Sequence, residues 1–121
     1  MSHTLKVKVE VTDEVALTTA AARLGANVMG FGSHQQYGGN VQGFGVKLEG
    51  WNFPAVFNLQ TGECSYDNYN GAWGEQSKLD ALVHEYTTEV IAQSLATQGI
   101  GYFRQDAVVN GSQQTVLCLV D

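Results

Sequence analysis

The chain has 121 residues, 44% of them hydrophobic and only 15% charged, well below the ~25% charged usual for soluble domains; there are 14 glycines and a single proline. This length suits one domain over residues 1–121, with a single core that closes without disulfides or metal. Twelve acidic against six basic side chains give a formal charge of -6, and the basic residues are scattered; such a field repels phosphate backbones and argues against a nucleic-acid partner.

Residues 4–11, TLKVKVEV, set Leu5, Val7, Val9 and Val11 on one face and Lys6, Lys8 and Glu10 on the other, a period of two that predicts a half-buried strand. Thr12 then stands as an N-cap, Asp13 and Glu14 supply first-turn acids, and Leu17, Ala21 and Leu24 follow at helical spacing up to Gly25, which ends a short helix. Ala16, Ala20, Ala21 and Ala22 let that helix approach a sheet closely. Residues 28–50 carry glycine at 30, 32, 38, 39, 43, 45 and 50 among apolar residues, which predicts two strands around a turn near Gly38-Gly39, with the inner glycines marking bulges or sharp coiling.

The stretch PAVFNLQTGECSYD reads as a hairpin turning at Gln60–Glu63, with Pro54 at the strand entrance, where a missing N–H does least harm. Ser77 offers a cap with Asp80 three residues on, and Leu79, Leu82, Val83, Tyr86, Val90, Ile91 and Leu95 make a stripe as far as Gly99, a helix of about twenty residues. The tail is a hairpin about Asn110-Gly111, and the apolar residues on both faces of its second strand (Val116, Cys118 and Val120; Leu117 and Leu119) predict a central position buried on both sides. Together these give an α+β fold: an antiparallel-rich sheet of about five to seven strands with two helices packed on one face, broadly ferredoxin-like, in the order β-α-β-β-β-β-α-β-β.

Tests for chemistry come back negative. No window approaches eighteen consecutive apolar residues, and the N-terminus alternates instead of opening on a charged region and an apolar run; no membrane partner is expected, and the expected compartment is a reducing cytoplasm or plastid stroma. Gly30-x-Gly32 has Gln35 where a dinucleotide fingerprint needs glycine, and strand rather than helix follows, so no nucleotide cofactor is expected. His3, His34 and His84 lack the short-spaced partners of a metal site. Cys64 and Cys118 match no zinc or redox spacing and have no Lys, Arg or His within four positions, so both read as half-buried free thiols. Glu75, Asp80, Glu85 and Glu89 read as the solvated face of the long helix.

The segment YDNYNGAWGEQS, residues 66–77, has two readings. In one, Trp73 packs under the helix start and Tyr66 finishes a strand. In the other, Tyr66, Tyr69 and Trp73, with His34 and Tyr37 of the neighbouring glycine segment, form a ligand- or partner-binding site in which Asn68, Asn70 and Gln76 orient the guest. The second reading implies a small non-enzymatic accessory or regulatory module. The alternative is an enzyme with His34 or His3 as base near Tyr37 and Cys64. An uncovered edge strand would pair two chains into a homodimer.

The opening Ser2-His3 before an alternating strand, the short capped helix, GFGSHQQYGG, VQGFGVKLEG, the run NGAWGEQSKLDALVHEYTTEVIAQSLATQGI and the closing hairpin together resemble one family, that of hypothetical chloroplast reading frame thirty-five, found in plastids, cyanobacteria and the viruses that infect them. The likeness covers nearly the whole chain in order of elements and is tightest at Ser2-His3, Trp73-Gly74 and Tyr86. That family has no assigned activity, cofactor or catalytic residue, so the resemblance implies a fold and a compartment rather than a reaction. Its members carry more charge, and an acidic residue with adjoining tryptophans where this chain has DNYNGAWG.

Overall fold

A computed structural model describes residues 5–36, 38–109 and 112–120. The N-terminal alternation becomes β1 (Leu5–Lys8), and α1 (Glu14–Arg23) follows. The N-cap of α1 is Asp13, not Thr12: Asp13 Oδ1 accepts the Ala16 N–H at 3.0 Å, while the N–H groups of Thr12 and Asp13 both donate to the Tyr86 hydroxyl, at 3.0 and 2.9 Å. A side chain 73 or 74 positions downstream thereby fixes where the helix starts, and local sequence could not reveal it. Gly25, at φ +70°, ends α1 as a left-handed C′ residue.

Next come β2 (Asn27–Gln36), β3 (Gly39–Lys47), β4 (Ala55–Asn58) and β5 (Glu63–Tyr66), then a single 3₁₀ turn (Tyr69–Gly71) and α2 (Gln76–Thr97). The N-cap of α2 is Glu75, without a side-chain cap bond, and Ser77 lies inside the helix with its hydroxyl donating to Glu75 Oε2 at 3.4 Å.

The five strands pair antiparallel in the order β1-β5-β4-β3-β2. The chain therefore meanders from β2 to β5, and β1 closes the far edge rather than taking the central place it has in a ferredoxin-like plait. In register, Phe44 faces Phe57 and Phe57 faces Cys64, while Val46 faces Ala55. These side chains share one face and form the core with Ala16, Leu17, Ala20 and Ala21 of α1 and Leu79, Leu82 and Tyr86 of α2. Burying each large aliphatic or aromatic side chain there contributes about 1.5–3 kcal/mol.

The opposite face is covered by the β2–β3 hairpin itself. A bulge between Val28 and Gly30, with Gly30 at φ +81°, bends the arm so that His34 Nε2 comes 2.8 Å from the Gly30 carbonyl oxygen. Gly45 alternates with the core residues Phe44 and Val46, so a Cβ there would point to this opposite face, where it would lie 2.7 Å from the His34 ring. The glycines are thus required by close approach as well as by bending.

The last elements, β6 (Gly101–Val109) and β7 (Ser112–Val120), pair only with each other. The final strand is not central as its two apolar faces suggested; Leu117 and Cys118 are half-buried, and the hairpin docks on α2 as a separate two-stranded sheet. The predicted Asn110-Gly111 turn lies outside the described residues.

Candidate functional site

The segment after β5 is built on two buried polar residues. Asp67 Oδ1 accepts the Tyr69 N–H at 3.2 Å, and the Asn68 carbonyl accepts the N–H groups of Gly71 and Trp73 at 3.0 and 2.9 Å. Asn68 Nδ2 donates to Gln76 Oε1 at 3.1 Å, and Gln76 Nε2 donates to Asp80 Oδ1 at 3.3 Å, tying the loop to the first turn of α2. Over this base Tyr69, Asn70 and Gly71 all have positive φ, 47°, 53° and 96°. Left-handed backbone at a tyrosine is uncommon and costs of the order of 1–3 kcal/mol, held by the surrounding bonds.

That conformation presents the aromatics. The Tyr69 ring stacks on Trp73 with centroids 4.8 Å apart at 25°, and Phe53 meets Trp73 edge-on at 5.6 Å and 71°. Tyr69 remains 41% exposed and Trp73 is half-buried. Tyr66 does not join them: it is buried in the core, 5.9 Å from the ring of Trp51. Trp51, which the sequence reading passed over, is the enclosed tryptophan, with its indole N–H donating to the Glu75 carbonyl at 3.1 Å. The Asn52 N–H donates to the Trp73 carbonyl at 2.8 Å, so the two tryptophan loops are joined along their backbones.

The hairpin tip reaches this neighbourhood through Gln36, which no motif had marked. Its Nε2 donates to the carbonyls of Ser65, at 2.8 Å, and Pro54, at 3.2 Å, which are the residues just before Tyr66 and just after Phe53. Among the described residues, Gln36 Oε1 and Asp67 Oδ2 are the buried side-chain oxygens with no hydrogen-bond partner. Gln36 is 1% and Asp67 2% exposed.

His34 is buried over Gly45 on the face away from the helices, whereas Cys64 is fully enclosed on the helix-covered face, its thiol pushed up to about 12 by burial. His34 and Cys64, which the enzymatic alternative needs near each other, therefore lie on opposite sides of the sheet. Tyr37 and His3 lie outside the described residues.

A second polar cluster holds the C-terminal hairpin. Glu85 and Glu89, read as part of a solvated face, are buried: Arg104 forms a two-pronged pair with the Glu85 carboxylate, Nη1 to Oε2 at 2.9 Å and Nη2 to Oε1, and Arg23 pairs with Glu89 at 2.7 Å. Asp80 and Glu75 are exposed as expected. The signal was available, because Glu85 and Glu89 follow Leu82 at i+3 and i+7 and so share its stripe. Arg104 Nε also donates to Asp106 at 3.1 Å, the Thr115 hydroxyl donates to Asp106 Oδ1 at 2.7 Å, and His84 Nε2 is 2.8 Å from Thr115 Oγ1. The hydrogen bond from Arg104 holds the Glu85 carboxyl below its usual range; for Asp106 the Thr115 hydroxyl, then Arg104, does the same. The Thr115 proton points to a carboxylate, not to the imidazole, which is the reverse of an activated nucleophile. The cluster acts as a clamp.

Two clefts flank the first half of α2, about 330 and 470 Å³ in volume, both lined by Asp80 and His84. Tyr66 and Gln76 line the larger, which places it beside the loop; Leu24 and Glu85 line the smaller. Among the described residues no group of three or more His, Cys, Asp or Glu is arranged to hold a metal ion, and no helix is long and apolar enough to cross a membrane. Comparison with family models, curated proteins and solved structures returns no match.

Proposed function

We propose that this protein is a small non-enzymatic accessory or regulatory module that binds a protein partner or small ligand through the loop at residues 66–74 and the adjoining tip of the β2–β3 hairpin. One observation carries the reading: an exposed Tyr69 ring, stacked on Trp73, on backbone held in a left-handed conformation by a buried Asp67 and Asn68. Rigid aromatic surface with adaptable amides around it is how polar loops gain binding energy at low entropic cost. Within this proposal the relatives are the reading-frame-thirty-five family and the compartment a cytoplasm or plastid stroma, both resting on the sequence resemblance. The test is capture of partners or ligands by the parent and by Tyr69→Ala and Trp73→Ala: loss of more than tenfold in affinity, about 1.4 kcal/mol, is expected. Unchanged capture by both variants would remove the basis for the assignment.

A second reading, compatible with the first, is a homodimer through β2. This edge strand has no charged residue between Asn27 and Gln36 and exposes Phe31 to 65%, without the lysines that usually guard an open edge. Light scattering across a concentration series should show dimers that Phe31→Glu abolishes; a monomer at every concentration would end this reading.

A further inference from the structure

The larger of the two clefts beside α2, about 470 Å³, has the size of a small-molecule site, for which ~300–1,000 Å³ is usual. Val9, Tyr66, Leu79 and Val83 give it an apolar floor. Gln76, Asp80 and His84, spaced i, i+4 and i+8 along α2 and so in one row on the helix, give it a polar wall. Gln76 and Asp80 are exposed, so a guest enters from solvent without any movement of the loop. Neither Tyr69 nor Trp73 lines the cleft.

The hydrogen bonds already made along the wall decide what it offers. Asp80 Oδ1 takes one amide hydrogen of Gln76 at 3.3 Å, and Oδ2 accepts nothing from the described residues. An ionised Asp106 only accepts, so the Thr115 hydroxyl proton goes to it, at 2.7 Å, and His84 Nε2, 2.8 Å from the same hydroxyl oxygen, is the donor in that contact. In the neutral imidazole this leaves Nδ1 as an acceptor. A carboxylate oxygen and an imidazole nitrogen both call for N–H groups, no Lys or Arg is among the described residues lining the cleft, and the chain carries a net charge of -6, so an anionic guest is opposed. In the smaller cleft both oxygens of Glu85 are taken by Arg104, whose positive charge repels a cation, so the larger cleft is the better host. We propose that the larger cleft is a binding site, distinct from the Tyr69 loop, for a small primary ammonium on a compact apolar body. Its N–H groups donate to Asp80 Oδ2 and His84 Nδ1 while the body lies on the floor of Val9, Tyr66, Leu79 and Val83.

The experiment titrates the parent protein at pH 8 with 2-phenylethylammonium, with 2-phenylethanol as its neutral counterpart, with 3-phenylpropanoate and with methylammonium, following backbone N–H signals by NMR. The phenylethyl amine is expected to bind about fivefold tighter than the alcohol and to move the signals of Val9, Tyr66, Asp80 and Val83, with affinity falling as salt is raised. The carboxylate should bind no better than the alcohol, and methylammonium, which has no body to lay on the floor, at least about tenfold more weakly than the phenylethyl amine. Asp80 is exposed and an asparagine there still accepts from Gln76, so Asp80→Asn should fold as the parent does, bind the amine about fivefold more weakly and leave the alcohol unchanged. Equal binding of amine and alcohol by the parent, which needs no variant to fold, overturns the proposal, as do signal shifts away from the cleft or an Asp80→Asn protein that holds the amine like the parent. Methylammonium binding as tightly as the phenylethyl amine would remove the floor from it. Tyr69→Ala should leave amine binding unchanged: a loss there would place the amine on the loop and overturn the separate site, whereas loss of partner capture alone bears on the loop and not on the cleft.

Discussion

The two tryptophans stand in neighbouring loops joined by one backbone hydrogen bond, yet they serve opposite ends. Trp51 is 2% exposed, its indole N–H is satisfied by the Glu75 carbonyl, and the backbone of Gly74 lies so close to its ring that a Cβ there would come within 2.5 Å. Trp73 is half-buried, backed by Phe53 and topped by an exposed Tyr69 on left-handed backbone. The first is anchored by everything around it; the second is offered to solvent by a loop that spends backbone strain to do so. Position relative to the β4–β5 sheet, rather than residue type, separates packing from presentation.

The largest expected effect tests that separation directly. Trp51→Ala should lose about 3–5 kcal/mol of unfolding free energy in a urea titration, the range for a fully buried aromatic, while Trp73→Ala should lose under about 2 kcal/mol. Equal losses would mean that the rim is core. Next, Gly74→Ala should cost about 2 kcal/mol, because the new methyl meets the Trp51 ring, which cannot give way without breaking its bond to Glu75. A melting temperature unchanged by that substitution would show the contact to be loose.

Periodicity carried the strands, the helices and their glycine stops, because alternation and the 3.6-residue repeat are local properties. What it could not carry were contacts made across the chain. The cap of α1 moved to Asp13 because Tyr86 donates no warning in sequence, and Glu85 left the solvent because Arg104 arrives from a hairpin 19 residues away. The apolar residues on both faces of β7 suggested a central strand, but pairing partners decide centrality and β7 has only β6. At the site, Tyr69 and Trp73 were legible as a polar aromatic loop; Gln36 was not, since only the fold-back of the glycine arm brings an ordinary amide to Pro54 and Ser65. The burial of His34 was hidden for the same reason, since it follows from the bend that the glycines permit.

The clamp on the C-terminal hairpin sets a third, smaller test. Glu85→Gln should destabilise by about 1.5 kcal/mol at neutral pH, through loss of a charge-assisted pair. Because Arg104 lowers the folded pKa of Glu85 below its unfolded value of about 4.3, the carboxylate's contribution is complete above that pH and is lost as the pH falls through the lowered folded value; Asp106, held down by Thr115 and Arg104, works in the same direction. The parent and Glu85→Gln should therefore converge in stability on acidification below about pH 4, followed by thermal melts. A gap that stayed constant to low pH would assign the loss to packing instead of charge.

The smallest effect addresses the strain at the rim. Asn70 sits at φ 53°, a conformation that asparagine tolerates better than residues other than glycine. Asn70→Ala should cost about 1 kcal/mol, and Asn70→Gly about nothing, since glycine enters this region freely while its added freedom in the unfolded chain takes back a few tenths. Measured by chemical denaturation, that pattern separates backbone strain from lost contacts: a contact would be missed by alanine and glycine alike. Equal destabilisation by both would mean that the left-handed run is held by the Asn70 side chain and not imposed on it, and the contrast between an anchored and a presented tryptophan would then rest on burial alone.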